Sequence, residues 1–467
     1  MSGSCRRPVR AAAIMEKQHS VPGYMLRLER VIMNPVVGDR DSVLAALQST
    51  INTFREDGPV VQSVMNASYP GMTEDERTAT RQHVINQLLD AYNNAVATPS
   101  DKTFYMPQIP VVGLFQTAME EHLRTDITVS QNRGVVDETG VPVPETFGNT
   151  DPLWIEAVLA EIGTLLEGKA PFVSHSHVSD FFYSIEDNCT IVLVADWGAG
   201  NQSALNVGQQ MKNKSPDYAI HLGDIYYAGE EAEAKDFLYR FRGIARSRSF
   251  ALNGNHEMYS GGRGYFNVVL PNLQQSASYF GLFNQNWQFI ALDTAYVDHV
   301  LTSPSDSRLQ NQFVWAVDKL KNAAKSSVVL THHQPFSAYQ PEQDNAARLR
   351  DDIGRLDLAI QPVSIFAWFF GHEHRCTIYD DSFNDFKARL IGNGCIPHLP
   401  QTPPDIAPPV PFKAINRAAR PDGSGYAISG FVLLTLDGPN MKVEYINEDG
   451  SVFATENWIA NIAGNPS

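Results

Sequence analysis

Five short polar blocks in the chain combine donor side chains with residues that let the backbone turn. They are Asp196-Trp197-Gly198, Gly223-Asp224-Ile225-Tyr226-Tyr227, Gly254-Asn255-His256-Glu257, Thr331-His332-His333-Gln334 and Gly371-His372-Glu373-His374. Together they offer carboxylates, imidazoles, an amide oxygen and a phenol, but no thiolate. That hard-to-borderline set suits Fe, Zn or Mn. The donors outnumber the roughly four ligands a tetrahedral zinc accepts. A two-metal centre with one bridging carboxylate accounts for them better. The glycines allow sharp turns and close approach of the backbone. Any single block is more often an ordinary turn or a surface histidine; the inference rests on all five occurring in order.

Each block closes a short apolar run. These runs are Ile191-Val-Leu-Val-Ala, Ala219-Ile-His-Leu, Ser249-Phe-Ala-Leu, Val328-Val-Leu and Ile365-Phe-Ala-Trp-Phe-Phe, and a further one is Phe289-Ile-Ala-Leu. Helical stretches, such as 236–244 and 312–324, separate several of them. Strands alternating with helices predict an α/β layered fold. Ligands of open α/β sheets collect at the carboxyl ends of strands, so the polar tips are expected to converge. After a Pro-rich stretch over 397–411, the runs 426–436 and 441–445 read as antiparallel strands joined through Asp437-Gly438 and closed by Asp449-Gly450.

The N-terminal part differs. Val43, Leu44, Leu47, Ile51 and Phe54 recur at helical spacing, and Thr73 with Glu76 makes a capping-box pattern before Val84, Ile85, Leu88, Leu89 and Tyr92. Residues 151–168 open on Asp151-Pro152 and stop at Gly168, the asymmetry of a helix. The chain is therefore expected to divide into a helical N-terminal region over residues 1–175, of unknown role, and a catalytic domain over 185–460.

The 467 residues carry 36 Lys+Arg against 52 Asp+Glu, a formal charge of −16. Such acidity excludes nucleic-acid or anionic-membrane binding by bulk electrostatics, since phosphate contacts need Lys and Arg. An anionic substrate then needs a local positive centre, which bound metals would supply. Four scattered cysteines make neither a disulfide framework nor a CxxC zinc site. The longest candidate membrane run, 365–370, is far short of a span, and no signal peptide is recognised after Arg6, Arg7 and Arg10. A cytoplasmic location is the expectation, with secretion by another route left open; the oligomeric state is not legible.

The ordered blocks Asp196-x-Gly198, Gly223-Asp224-x-x-Tyr227, Gly254-Asn255-His256-Glu257, Val329-x-x-His332 and Gly371-His372-x-His374 resemble those of the calcineurin-like metallophosphoesterases, and more narrowly of the purple acid phosphatases. The narrower likeness rests on Gly198, which stands where the wider superfamily has a histidine, and on Tyr227 as a substitute ligand. The resemblance implies a layered sandwich of two mixed β-sheets flanked by helices. It implies a dinuclear Fe(III)–M(II) centre, with M being Fe, Zn or Mn. Carried over by position, one metal would be held by Asp196, Asp224, Tyr227 and His374. The other would be held by Asp224, Asn255, His332 and His372. His256 would contact the phosphate and protonate the leaving group. A metal-held hydroxide would attack phosphorus, and a Tyr227 phenolate on Fe(III) would colour the protein. The implied reaction is hydrolysis of a small phosphate monoester. A phosphodiesterase or nucleotide pyrophosphatase would use the same ligands. A binding or regulatory module, with the helical region recruiting a partner, is the alternative of another class.

Several residues carry open readings. Glu257 either raises the proton affinity of His256 or braces its loop. His333 is a substrate contact or a bystander beside His332. Arg263, in the Gly-rich segment after the third block, is a candidate phosphate contact. Trp197, Cys376 and Cys395 read as core, and His175 with His177 lacks partners at ligand spacing.

Overall fold

The computed structural model describes residues 168–461, apart from 323–324, 339–345, 384, 399 and 401–409, together with a few N-terminal positions. Most of the expected helical region 1–175 lies outside the described residues. Within it, Glu74, Thr78 and Gln82 are helical just after Thr73, as are Ala160 and Thr164. Two short antiparallel pairs also occur there: β1 (Asn34–Val36) with β2 (Phe104–Met106), and β3 (Val135–Val136) with β4 (Pro142–Val143).

From residue 182 onward the chain builds two mixed sheets face to face. The first contains β6 (Asn188–Val194), β7 (Tyr218–His221) and β8 (Arg248–Ala251), parallel to one another. It continues antiparallel through β16 (Gly430–Asp437), β17 (Asn440–Asn447) and β18 (Val452–Ile459), in the order β18-β17-β16-β6-β7-β8. The second is built on β10 (Trp287–Ala291), β11 (Ser326–Leu330) and β12 (Ala367–Phe370), again parallel. Around them lie β5 (Phe182–Ser184), β9 (Phe280–Phe283), β13 (Cys376–Tyr379), β14 (Lys387–Ile391) and β15 (Phe412–Ile415), in the order β15-β13-β14-β12-β11-β10-β9-β5.

Strict alternation explains why these runs are apolar throughout. Ile191 and Leu193 of β6 point into the core between the sheets, where they join Ile220, Phe250, Phe289, Val328, Leu330 and Phe369. Val192 and Val194 point the other way, toward the helices α1 (Gln202–Lys214) and α2 (Glu231–Phe241). On the far side, Ile290, Val329, Trp368 and Phe370 meet α5 (Ser307–Lys321) and α6 (Ala347–Ile360). A strand covered on both faces loses the polar alternation of a half-exposed one. Between these helices the chain forms α3 (Asn255–Tyr259), a π-helical turn (Gly264–Val269) and α4 (Leu270–Asn272).

The helix ends follow local chemistry. The Asn201 side chain accepts the Ala204 N–H at the start of α1, and Lys212 and Lys214 stand in its last turn. Asp306 caps α5 through the Arg308 N–H. The sheet edge is anchored by Arg389, which is fully buried and forks onto Glu456 at 2.6 and 2.8 Å while reaching Asp381 at 2.9 Å.

A candidate dinuclear metal site

The five expected tips do converge. Asp196, Asp224 and Asn255 follow β6, β7 and β8 in one sheet, whereas His332 and His372/His374 follow β11 and β12 in the other. The donors therefore meet at the carboxyl ends of parallel strands, across the seam between the sheets. Asp196, Asp224 and His372 adopt positive φ angles of 56°, 74° and 72°. Non-glycine residues rarely sit there, and such strain concentrates at functional sites. Gly254 permits one close approach: a Cβ there would lie 2.0 Å from Asp224 Oδ1.

Two donor groups share Asp224. In the first, ligand atoms of Asp196, Asp224 and His374 lie within 4.8 Å of one another. In the second, the same holds for Asp224, His332 and His372. Asn255 Oδ1 sits 3.0 Å from His332 Nε2 and 2.9 Å from His372 Nδ1, so the amide oxygen belongs to the second group. His332 Nδ1 faces the Leu222 carbonyl at 3.1 Å, which leaves Nε2 turned toward Asp224 Oδ1, 3.3 Å away. A hydrogen bond on one ring nitrogen that frees the other is the usual arrangement behind a metal-ligating histidine.

The phenol differs from expectation. The Tyr226 hydroxyl lies 3.0 Å from Asp196 Oδ1, 3.1 Å from Asp224 Oδ2 and 3.0 Å from His374 Nε2. The resemblance puts Tyr227 in this set, whereas in the structure it is the Tyr226 hydroxyl that faces these donors. Tyr227 instead gives its backbone to the site: its N–H donates to Glu233 and its carbonyl meets His256 Nδ1 at 2.7 Å. Glu233, on α2, also accepts the N–H groups of Ala228 and Glu230, so helix and loop are fixed together. The backbone course after Asp224 decides which tyrosine turns inward, and two adjacent tyrosines carry no sequence signal for that choice.

His256 is buried, with Nε2 3.7 Å from Asp224 Oδ2 and its ring against that of Tyr226. Glu257 Oε2 accepts the N–H groups of Asp224 at 3.1 Å and Gly254 at 2.9 Å. Of its two readings, this geometry is that of a brace. His333 turns from Asp224 toward Thr294 Oγ1 at 3.1 Å and Asp298 Oδ1 at 3.1 Å. Arg263 donates to the Gly168 carbonyl at 3.0 Å, a tie to the preceding chain. Trp197 is core, donating to the Ala204 carbonyl and packing on Phe237 and Phe241. Cys395 is buried with its thiol pushed up to about 12, chiefly by burial, which keeps it out of the donor set.

The electrostatics ask for cations. Burial raises the Asp196 carboxyl to about 6 and Glu257 to about 8. Asp224 is raised well above its ordinary range by burial, then by Asp196 and Glu257. Burial also drives His332 and His372 well below the ordinary imidazole value, with neighbouring imidazoles adding to the effect. Carboxylates that resist ionisation and imidazoles that resist protonation are both accommodated by a bound cation. The donor set therefore fits the metals that the sequence resemblance implies.

The family model described as calcineurin-like phosphoesterase matches residues 189–376. No curated protein sequence matches the chain. Among solved structures, the chain is similar to GAP50, the anchor in the inner membrane complex of Plasmodium, at 14% identity over 58% of this chain and 89% of that one, with a TM-score of 0.44. It is also similar to Yfce, a phosphoesterase from E. coli, at 12% identity over 57% and 98% of the two chains, with a TM-score of 0.27. Vps29 from Chaetomium thermophilum matches at 9% identity over 60% and 100%, with a TM-score of 0.28. No helix among the described residues is long and apolar enough to cross a membrane. The sheet seam, the shared aspartate and the family match lead to one assignment: residues 189–376 form a calcineurin-like phosphoesterase domain of the metallophosphoesterase superfamily.

Proposed function

We propose that the domain hydrolyses small phosphate monoesters at a dinuclear centre of the purple acid phosphatase type, Fe(III) with Fe, Zn or Mn. Asp196, Asp224, Tyr226 and His374 would hold one metal, and Asp224, Asn255, His332 and His372 the other. The observation that carries the reading is the single Asp224 carboxylate common to two buried donor groups. When bound, the metals supply Lewis acidity and an activated water.

The chain's own residues do the rest. His256 Nδ1 is tied to the Tyr227 carbonyl, so Nε2 is the nitrogen that faces Asp224. That tautomer places a proton at Nε2 when the ring is charged, where it can pass to a leaving oxygen. Glu257 holds the Asp224 and Gly254 amides and thereby fixes the spacing of two donor loops. His333 and Arg263 stand outside the hydrolytic step in this reading.

The test is a pair of rates across pH, on an aryl phosphate monoester and the matching bis-aryl diester, with metal-loaded protein. Faster monoester cleavage with an acidic optimum supports the reading. Faster diester cleavage assigns the same site to a phosphodiesterase. No turnover of either by a metal-loaded, folded protein refutes hydrolysis of this class and favours a binding module.

A further inference from the structure

Beside the two donor groups lies a third, which joins His299, from outside the five blocks, to His333 and His372. One ring nitrogen from each of His299, His333 and His372 lies within 4.8 Å of the others. The His299 and His333 rings are 4.0 Å apart, and those of His333 and His372 are 4.7 Å apart. Asp298 Oδ1 stands 3.1 Å from His333 Nε2 and 3.3 Å from His299 Nδ1. His299 Nε2 is buried and lacks a hydrogen-bond partner. His299 also has a positive φ of 56°, as Asp196, Asp224 and His372 do.

We propose that His299, His333 and Asp298 form a further binding site for a divalent transition-metal ion, adjoining the dinuclear centre through His372. Two imidazoles and a carboxylate are a donor set for Zn, Fe, Mn or Co, with positions left open for water or a substrate oxygen. Ligand atoms about 2.0–2.2 Å from a tetrahedral ion stand roughly 3.3–3.6 Å apart, close to the separations around Asp298 Oδ1. Two imidazole rings packed together beside a carboxylate offer lone pairs and negative charge to a cation and not to an anion. The Asp298 side chain is 68% exposed, which gives an ion a path in from solvent. A cation here would place positive charge beside the phosphoester site of a chain whose formal charge is −16.

The site stands on its own geometry and does not depend on the proposed reaction. Purified chain is loaded with Zn(II), desalted, and its metal content per chain measured for wild type, His299→Gln, Asp298→Asn and Asp224→Asn. Near-UV circular dichroism checks that each variant is folded. His299→Gln and Asp298→Asn are each expected to lower the zinc content by one equivalent relative to wild type. Asp224→Asn is expected to lower it by two. Equal zinc in wild type and in a folded His299→Gln or Asp298→Asn overturns the further site, whatever Asp224→Asn does. Loss confined to those two variants, with Asp224→Asn unchanged, upholds the site and refutes the dinuclear reading instead.

Discussion

Which tyrosine meets the metals is open to a direct test. The Tyr226 hydroxyl lies within 3.0–3.1 Å of Asp196, Asp224 and His374, whereas Tyr227 serves through its N–H and carbonyl. Tyr226→Phe removes one oxygen from the first donor group and leaves the ring in place. Removing groups that merely support a metal ligand costs about 10–100-fold in metal affinity, so loss of a ligand should cost at least that. In the metal-free protein the same change deprives a buried carboxylate of a donor, a loss of about 1–3 kcal/mol in stability. Tyr227→Phe leaves its backbone contacts intact and should match wild type in metal affinity. The assay is the visible absorption of Fe(III)-loaded protein, followed by competition against a chelator. A phenolate on Fe(III) gives a charge-transfer band, and Tyr226→Phe should abolish it. If Tyr227→Phe bleaches the protein and Tyr226→Phe does not, the placement of Tyr226 is wrong. If wild type loaded with ferric iron is colourless, no phenolate ligand exists.

Other consequences are equally concrete. Asp224→Asn should lose both metals and drop kcat/KM by about 10³-fold or more, because several kcal/mol of transition-state stabilisation go with them. His256→Asn should lower kcat about 10²–10⁴-fold on alkyl phosphates and much less on aryl phosphates, whose leaving groups need no proton; equal losses on both would remove His256 as the acid. The metal-free protein should become less stable as pH rises from about 4.5 toward 8, because Glu257, pushed up to about 8 by burial, binds a proton in the native state that the unfolded chain has released. Glu257→Gln should reduce that slope in urea titrations, leaving the contributions of Asp224, raised by burial, of Asp196 at about 6 and of Glu233 at about 7. His333, held at about 4, acts on the other side: its share of stability is lost as pH falls below the ordinary imidazole value. Arg389→Ala should cost about 3–5 kcal/mol by removing the buried cation paired with Glu456, while Asp381 keeps Lys413, measured by chemical denaturation.

The sequence exposes the donor tips because double-sided burial makes their strands continuous apolar runs. Those runs fall where β6, β7, β8, β10, β11 and β12 form. Strand β18 gives no such signal: mostly exposed or half-exposed at the sheet edge, it has few residues that must be apolar. Tyr226 was missed for a local reason, since adjacent side chains differ in direction only once the backbone course is known. His299 has a signal that motif reading passes over. It lies in the loop after β10, whose carboxyl end is parallel to those of β11 and β12, and the convergence rule applied to that sixth run points to its loop.

The seam location of the site has a mechanical meaning. Asp224 and Asn255 are rooted in one sheet, and His332 and His372 in the other. An ion held by both pairs is a rivet through two plates, added to the His332–Leu222 and His372–Asp196 hydrogen bonds that already cross the seam. Each ion at a hundred times its dissociation constant adds about 2.7 kcal/mol against unfolding, and that energy acts across the plates. Core substitutions that slide one sheet on the other, at Leu193 or Phe369 for example, should therefore weaken metal retention without touching a ligand. Occupancy of the rivet becomes a gauge of how well two halves of the core fit.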